Sequence, residues 1–322
     1  MERLETEIYL RYKQIIESQG VGTSVCAGSE SPAPQRVRME DLLDRYDAFC
    51  FDGYGTLYNR GSFVYEGALD WYTMLRAAGK QMRLITNAAS DVDEVLAADA
   101  GKRGFAFSEA ETVSSGSLLK DLCVELRSRR IGSSFAARRD MHEVYYIGRE
   151  TGKHVLESCG IKAVAPAAEP VEPIVAISSA KDTPETYEQA VKILKRSGAI
   201  LLVLNSDAWA PKIPGDDGVT VREPVSGALS ERLRRDSMCE ANGGAGCETF
   251  YLGKPFPAIW EKVKRSLPEG SRVLMVGDTL GTDVLGARIA GFDSALVVGR
   301  NVPADELEAD EKVLGIRPDY YL

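Results

Sequence analysis

An aspartate in the setting of a nucleophile ends a short apolar run. The run Asp47–Phe51 leads into Asp52, which is followed by Gly53-Tyr54-Gly55-Thr56-Leu57. The glycines let the backbone close tightly around the carboxylate. A carboxylate held in this way can attack a phosphorus or carbon centre and form a covalent intermediate. The sequence therefore predicts Asp52 as a nucleophile.

Three further segments place polar residues directly after apolar runs. They contain Thr86-Asn87, then Gly253-Lys254-Pro255, and then Asp278 and Asp283 within Gly277-Asp278-Thr279-Leu280-Gly281-Thr282-Asp283. The Thr86 hydroxyl and the free backbone N–H groups that follow it suit an anion. Lys254 would neutralise the nucleophile and a transferring phosphoryl group.

The acidic residues of these segments imply a cation. Two unit charges about 4 Å apart interact by roughly 4 kcal/mol at an effective dielectric constant near 20. A single lysine does not cancel the three carboxylates of Asp52, Asp278 and Asp283. Magnesium prefers oxygen ligands and is commonly bound by a few carboxylates, water and substrate phosphate. We therefore expect a Mg²⁺ site.

Predicted strands alternate with predicted helices such as Leu69–Ala78, Pro184–Ser197 and Pro257–Ser266. This alternation is typical of parallel sheets covered by helices. Ligands bind outside the carboxyl ends of such strands, so we expect the four segments to meet in one pocket. The predicted strands are Asp47–Phe51, Met82–Ile85, Glu143–Ile147, Ile174–Ile177, Ile200–Leu204, Phe250–Leu252, Val273–Val276 and Ser294–Val298.

Length and composition limit the class of protein. A chain of 322 residues suits two domains. The net charge of −9 and the isoelectric point near 5.1 argue against nucleic acid as a partner. No apolar run is long enough to span a membrane. Six scattered cysteines indicate reduced thiols and a cytoplasmic location. Two histidines nearly exclude histidine-based catalysis.

In this order, the four segments resemble the motifs of the haloacid dehalogenase (HAD) superfamily. Gly253-Lys254-Pro255 and the segment 277–287 look like its class IIA branch, which includes p-nitrophenyl phosphate and pyridoxal phosphate phosphatases. The resemblance runs from about Asp47 to the C-terminus. It implies an α/β fold, with a Rossmann-like doubly wound parallel sheet as core and an inserted α/β cap. It also implies a Mg²⁺-dependent phosphatase that acts on a small phosphorylated metabolite.

The resemblance assigns roles to individual residues. Asp52 matches the nucleophile, and Lys254 matches the lysine that stabilises it. Asp278 matches a magnesium ligand, and Asp283 matches the acidic residue that orients metal-bound water. The backbone carbonyl of Tyr54 would be another metal ligand. The expected substrate- and phosphate-binding residues are Gly55, Thr56, Thr86, Asn87, Asn205 and Asp207, although Asn205 and Asp207 also suit a simple turn.

The resemblance also suggests a division of the chain. Residues 1–40 would form an N-terminal helix and linker, 41–142 the first part of the core, 143–247 a C2-type cap, and 248–322 the second part of the core. The helix expected over Glu2–Gln19 could dock on the core or on a partner. The glycine-rich loop 236–248 would be a hinge. Caps of this type often dimerise in the family, so a homodimer through the cap is a further expectation.

Tyr54 departs from the pattern of the family's phosphatases. Those enzymes have an aspartate here that protonates the leaving alcohol and then activates water. A phenol, with a reference pKa near 10, can donate a proton but is a poor base at neutral pH. General acid–base catalysis is typically worth about 10²–10⁴-fold, so a phosphatase with Tyr54 should be slow. Tyr54 could be a catalytic phenol, a ring that stacks on the substrate or a packing replacement.

Alternative functions therefore stay open beside the phosphatase. The family's dehalogenases share the Asp-x-Tyr-Gly-Thr arrangement and need no metal, which favours a metal-free 2-haloacid dehalogenase. Against this, Asp278 and Asp283 would repel a halo-acid carboxylate, and the expected cap differs from the helical caps of those enzymes. A non-catalytic or very slow protein that binds a phosphate ligand is the second alternative. Phosphoryl transfer to an acceptor other than water is the third.

Overall fold

The computed structural model describes residues 3–20, 33–128, 141–215, 220–238 and 246–322. Its helices are α1 Arg3–Ser18, α2 Ala68–Ala77, α3 Asp93–Gly101, α4 Leu118–Ser128, α5 Lys153–Glu157, α6 Pro184–Leu194, α7 Ser226–Asp236, α8 Pro257–Arg265, α9 Leu285–Ala290 and α10 Leu307–Leu314. Its strands are β1 Gln35–Arg36, β2 Ala48–Phe51, β3 Gln81–Thr86, β4 Thr112–Ser114, β5 Glu143–Ile147, β6 Lys162–Ala163, β7 Ile174–Ile177, β8 Ile200–Val203, β9 Trp209–Pro211, β10 Arg222–Pro224, β11 Glu248–Tyr251, β12 Val273–Gly277, β13 Asp293–Leu296 and β14 Tyr320–Tyr321.

Seven strands form one sheet, here the large sheet, in the order β1-β14-β13-β12-β2-β3-β4. All of its described pairings are parallel. The strand β12 lies at its centre, and β2 lies next to it, between β12 and β3. Helical segments between successive strands cover the sheet, as parallel connections require. The prediction of an α/β fold built on a doubly wound parallel sheet is confirmed.

The sequence of β2 shows why this sheet is buried on both faces. Phe49 and Phe51 belong to one aromatic cluster. Ala48 and Cys50 belong to a second cluster that contains Trp260 of α8. Because successive side chains of a strand point to opposite faces, two clusters require cover on both sides. The run is therefore continuously apolar, as in other buried parallel strands.

Five strands form a second parallel sheet, here the small sheet, in the order β11-β8-β7-β5-β6. They come from residues 143–251, between β4 and β12 of the large sheet. The strand β11 pairs with β8, and Tyr251 lies opposite Val203. Residue 248 was expected to begin the second part of the core, yet β11 completes the small sheet. The division into domains itself stays a prediction.

The N-terminal helix α1 docks within its own chain. The ring of Tyr9 lies so close to Gly281 that a Cβ there would be 2.0 Å from the Tyr9 Cγ. The Tyr12 hydroxyl donates to the carbonyl of Ser206, 3.1 Å away, beyond the end of β8. The helix therefore contacts both the loop after β12 and the loop after β8.

Some expectations fall on residues outside those described. Most of the expected linker 21–35 and most of the glycine-rich loop 236–248 lie there, as do Cys26 and Cys239. None of the helices in the described ranges has the length and apolar character needed to cross a bilayer. Among the described cysteines, Cys50 and Cys247 are free thiols.

Candidate active site

A tight turn carries the predicted nucleophile at the end of β2, next to the central strand of the large sheet. The backbone N–H of Asp52 donates to the carbonyl of Val276, 2.9 Å away, which ties the end of β2 to the end of β12. The carbonyl of Gly53 then accepts the N–H groups of Leu57 and Tyr58, at 2.9 and 3.1 Å. These bonds close the turn directly behind the Asp52 side chain.

Lys254 joins two of the predicted carboxylates. Its Nζ lies 2.6 Å from Asp52 Oδ1 and 2.7 Å from Asp283 Oδ1, and the residue is only 1% exposed. Burial by itself would lower the pKa of Lys254. The carboxylates of Asp283 and Asp52 outweigh burial and raise the pKa above its usual value. Lys254 is therefore a fixed positive charge beside the nucleophile.

The loop after β12 positions the other two acidic groups. Asp283 Oδ2 accepts the backbone N–H groups of Asp278 and Thr279, each at 3.1 Å, where a single π-helical turn (Leu280–Val284) precedes α9. The Oδ2 of Asp278 is buried and has no hydrogen-bond partner in the described part of the chain. At Gly55, where φ is +96°, a Cβ would lie 2.0 Å from that same oxygen.

These carboxylates fit a hard divalent cation. Asp52, Asp278 and Asp283 are buried, and each offers an oxygen within 4.8 Å of the others. The partnerless Oδ2 of Asp278 is an oxygen that such an ion would satisfy. The parallel bridge between Tyr54 and Tyr58 uses the Gly53 carbonyl and the Gly55 N–H, so these bonds leave the Tyr54 carbonyl unused. An all-oxygen donor set of this kind suits Mg²⁺.

The electrostatics of the carboxylate cluster also favour a bound cation. Burial raises the pKa of Asp52 to about 7, against the opposing effect of Lys254. Burial and the neighbouring carboxylates of Asp52 and Asp283 also hold the pKa of Asp278 well above its usual value. Positive charge beyond that of Lys254 is therefore needed to keep these carboxylates ionised together.

The two residues after β3 have different surroundings. The Thr86 hydroxyl accepts the N–H of Ala88 at 3.1 Å and faces the cavity described below. The Asn87 amide is engaged by the protein, because its Oδ1 accepts the Lys254 N–H at 2.7 Å. Its Nδ2 donates to the Lys254 carbonyl at 3.0 Å and to Asp207 at 2.8 Å. In this geometry Asn87 holds the lysine loop, and its expected phosphate contact stays a prediction.

The loop after β8 meets this arrangement from the small sheet. Asn205 Oδ1 accepts the N–H of Asp207 at 2.9 Å, which is the turn that its sequence suits. The Ser206 hydroxyl donates to the Lys254 carbonyl. Burial raises the pKa of Asp207 to about 6, against the opposing effects of Lys254 and Asn87. Asn205 and Asp207 thus form a turn and also face the cavity.

Tyr54 stands at the side of the nucleophile and packs on another ring. Its centroid lies 5.1 Å from that of Tyr58, in an edge-to-face arrangement. Burial raises the pKa of Tyr54, Asp99 adds to the increase, and the nearby Arg103 and Arg149 oppose it. The phenol is therefore protonated near neutral pH.

A cavity of about 470 Å³ lies between the two sheets. It has Asp52, Tyr54 and Thr86 on the large-sheet side and Asn205 and Asp207 on the small-sheet side. The predicted residues Gly55, Thr56 and Asn87 are not among its lining residues. This volume suits a small metabolite.

Two arginines near the site were missed at the sequence level. The Arg300 guanidinium donates to the carbonyls of Gly55 and Thr56, at 3.2 and 3.4 Å. Arg149 lines the cavity. It directly follows Glu143–Ile147 and Gly148, so the strand-end rule that singled out Asp52 could have found it. Arg300 could have been found in the same way, because it follows the predicted strand Ser294–Val298 and Gly299.

The comparisons with known proteins agree with this geometry. The family model for "Haloacid dehalogenase-like hydrolase" matches residues 49–162, and the model for HAD-hydrolase-like proteins matches residues 251–322. Mouse chronophin is 25% identical over 274 residues, with 84% of this chain and 87% of chronophin covered. The 4-nitrophenylphosphatase of Schizosaccharomyces pombe is 25% identical over 298 residues, with 88% of this chain and 93% of that protein covered.

A solved structure shows the same fold. It is described as a possible sugar phosphatase of the HAD superfamily from Cytophaga hutchinsonii, with a TM-score of 0.72 and 24% identity. The match covers 90% of this chain and 97% of that chain. Together, the family models and the relatives identify the chain as a member of the haloacid dehalogenase-like hydrolases.

Proposed function

We propose that this hydrolase is a Mg²⁺-dependent phosphatase that acts on a small phosphorylated metabolite through an aspartyl-phosphate on Asp52. The observation that carries the proposal is the buried cluster in which Lys254 bridges Asp52 and Asp283, beside the partnerless Oδ2 of Asp278. Phosphoryl transfer needs this combination of a carboxylate nucleophile and fixed positive charge.

The residues support the following sequence of bonds. A carboxylate oxygen of Asp52 attacks phosphorus, the bond from phosphorus to the ester oxygen breaks, and the leaving oxygen takes a proton. Water then attacks the phosphorus of the aspartyl-phosphate and releases inorganic phosphate and the free carboxylate. Lys254 offsets the negative charge in both steps. Mg²⁺, held by Asp52, Asp278, the Tyr54 carbonyl and water oriented by Asp283, would neutralise phosphoryl oxygens.

Tyr54 makes the second step slow in this proposal. Its protonated phenol can donate to the leaving oxygen. It is a poor base for the water that must release the phosphate, because its raised pKa keeps the phenol protonated near neutral pH and leaves almost no phenolate to accept a proton. Tyr54 is therefore the observation that favours a second candidate function, a protein that binds phosphate ligands with very little turnover.

The test is an assay of phosphate release from a panel of phosphate monoesters with Mg²⁺. The Asp52→Asn variant should lose at least about 10³-fold in turnover, because it removes the nucleophile, and EDTA should abolish release by the wild type. The matched control is Asp319→Asn, which changes an aspartate that accepts from Ser294 at the opposite ends of the strands. It should keep normal turnover.

The other functions give different results in the same experiment. Halide release from 2-chloropropionate that is insensitive to EDTA would replace the proposal with the dehalogenase. Binding of Mg²⁺ and inorganic phosphate without release from any ester would leave the non-catalytic binding protein. Phosphate that appears on an added alcohol instead of in water would indicate phosphoryl transfer.

The remaining expectations are part of the proposal. The substrate is a small phosphorylated molecule, with neither nucleic acid nor membrane as a partner, as the net charge of −9 suggests. The segment 143–247 would act as the cap over the cavity, and a homodimer would form through it. A cytoplasmic location is supported by the free thiols of Cys50 and Cys247.

A further inference from the structure

The small sheet brings its own strand ends to the cavity. Arg149 follows β5, Ser178 and Ser179 follow β7, and Asn205 follows β8, and all four line the cavity. Because β5, β7 and β8 are parallel neighbours, their carboxyl ends lie at one edge. This edge faces the nucleophile from across the cavity and is placed to contact the leaving group of a bound ester.

Arg149 is the cavity cation that has no acidic partner within the described ranges. Arg103 lies 2.6 Å from Asp99, and Arg60 forms an ion pair with Glu223. Lys254, beneath the cavity, is engaged by Asp52. No ion pair or hydrogen bond joins the Arg149 guanidinium to another residue of the described chain. An unneutralised charge on a cavity wall favours an anion there.

The backbone of Arg149 is fixed although its side chain is exposed. Its carbonyl accepts the Tyr146 hydroxyl and the Gly152 N–H, each at 3.0 Å. The neighbouring acid, Glu150, is already paired with Lys153 at 2.7 Å. The guanidinium is therefore presented from an ordered turn, and the adjacent carboxylate is engaged elsewhere.

Two serines that line the cavity have hydroxyls without a partner in the described chain. The Oγ atoms of Ser179 and Ser226 are buried without a hydrogen-bond partner in the described chain, and both residues line the cavity. Ser226 begins α7 beside the Asp207 turn, since the Gly227 N–H donates to the Asp207 carbonyl at 2.7 Å. Ser179 follows β7, the neighbour of β5, and is therefore the one on the Arg149 side. Buried hydroxyls are normally bonded, so these two are available to a ligand. Ser178, in contrast, is engaged by the Tyr146 hydroxyl.

We propose that Arg149, together with Ser179, forms a subsite for a second anionic group on the substrate. The substrate class is then a phosphate monoester whose alcohol carries a carboxylate or a second phosphate. This inference rests on the proposed phosphatase function. It places the phosphate at Asp52, the ester oxygen beside Tyr54 and the second anion against Arg149.

The neighbourhood of Tyr54 supports this direction. The cations Arg103 and Arg149 lie near the Tyr54 phenol and oppose the increase in its pKa. Lys254 and the Asn87 amide have the same effect on the pKa of Asp207. The cavity therefore has a nucleophile end and a guanidinium end, with Tyr54 between them. Arg103 is compensated by Asp99, which leaves Arg149 to select the charge of the leaving group.

The experiment compares esters that differ in one charge. 2-Phosphoglycolate carries a carboxylate where 2-hydroxyethyl phosphate carries a neutral alcohol, and ethylene glycol bisphosphate carries a second phosphate. Dissociation constants are measured by calorimetry on Asp52→Asn with Mg²⁺, and kcat/KM is measured on the wild type. At least one anionic ester should be preferred by roughly 10- to 100-fold, the range of a hydrogen bond to a charged group.

Substitutions then test the guanidinium. Arg149→Gln, in the wild-type and Asp52→Asn backgrounds, should remove most of this preference and change the neutral ester by less than about twofold. Arg149→Lys should restore part of it. The control is Arg196→Gln, which removes an arginine just after α6 that is bonded to the carbonyls of Pro170 and Val171; it should have no effect.

Each outcome decides between the two proposals. Equal binding of the charged and neutral esters overturns the subsite, as does an equal loss for both in Arg149→Gln. Preferential binding of an anionic ester without phosphate release keeps the subsite and overturns the phosphatase. Failure of every ester to bind overturns the subsite as well. The more strongly preferred anionic ester identifies the second group as a carboxylate or a phosphate.

Discussion

At the scale of single residues, the site has the groups for charge neutralisation but has Tyr54 where a group for proton transfer is expected. Lys254, Asp278 and Asp283 supply the charges for holding and moving a phosphoryl group. The position that should handle protons instead carries a buried phenol against Tyr58. The phenol stays protonated near neutral pH, so it can donate to a leaving oxygen but cannot take a proton from the attacking water. The site is therefore better suited to forming an aspartyl-phosphate than to hydrolysing it.

Replacing this phenol with a carboxylate tests that imbalance. Tyr54→Asp should raise the steady-state turnover of a phosphate monoester by about 10-fold or more, because general acid–base catalysis is worth about 10²–10⁴-fold. The measurement is phosphate release under saturating Mg²⁺, with a burst experiment to separate formation of the phosphoenzyme from its hydrolysis.

Tyr54→Phe is the matched control, because it keeps the ring and removes only the hydroxyl. It should leave turnover within about twofold if Tyr54 is a packing replacement, whereas a large loss would make the phenol a working acid. Unchanged or lower turnover in Tyr54→Asp would show that Tyr54 is adapted to its reaction.

The residues that could be predicted from sequence are those that follow strands with strong apolar runs. Asp52, Thr86 and Asp278 were found in this way, and they lie at the carboxyl edge of the large sheet. Arg149 was missed because the same rule was not applied to the strands of the small sheet. Arg300, two residues after the predicted strand Ser294–Val298, was missed in the same way. Its contacts with the nucleophile turn could not be predicted, because they depend on the path of a loop that has no periodic pattern.

At the scale of elements, α1 and β11 show where sequence patterns are insufficient. The apolar spacing of α1 predicts a helix but does not identify its docking surface. That surface is set by complementary shape, such as the Tyr9 ring on Gly281. The run at β11 predicts a strand but not its sheet, because either sheet offers a parallel partner. Pairing with β8 places Lys254 next to the Ser206 loop.

The hydrogen bond from Tyr12 of α1 to the Ser206 carbonyl can be tested by removing one oxygen atom. Tyr12→Phe removes the hydroxyl that donates to the Ser206 carbonyl and should reduce the free energy of unfolding by about 1 kcal/mol. It should also raise KM by a few-fold, because Ser206 supports the Lys254 carbonyl. Denaturant unfolding and steady-state kinetics are the measurements.

Tyr145→Phe serves as the control, because its hydroxyl donates to the Pro166 carbonyl at 3.2 Å, also on the small-sheet side. It should cost comparable stability and leave KM unchanged. An unchanged KM in Tyr12→Phe as well would limit α1 to a purely structural role.

At the scale of the whole molecule, a buried ionic group ties distant segments together. Glu5 of α1 lies 2.7 Å from Arg222 of β10, and Arg222 also lies 3.0 Å from Glu306, just before α10. Burial raises the pKa of Glu5 to about 7. Arg222 opposes this increase, and the carboxylates of Asp310, Glu306 and Asp207 add to it. The folded chain therefore binds a proton at Glu5 more tightly than the unfolded chain does.

This difference makes stability depend on pH in a defined direction. The contribution of protonated Glu5 to the free energy of unfolding is fully present below pH 4.5, the ordinary pKa of a glutamate. It is lost as the pH rises through about 7, the pKa of Glu5 in the folded chain. Glu5→Gln mimics the protonated form, so its stability relative to the wild type should increase by about 3 kcal/mol between pH 4.5 and 7.5. Urea unfolding of both proteins across this range gives the difference.

Glu7→Gln, on the exposed face of the same helix, controls for the loss of a negative charge. A difference between Glu5→Gln and the wild type that does not change with pH would show that Arg222 keeps Glu5 ionised throughout, and that the network holds α1 by charge rather than by a proton.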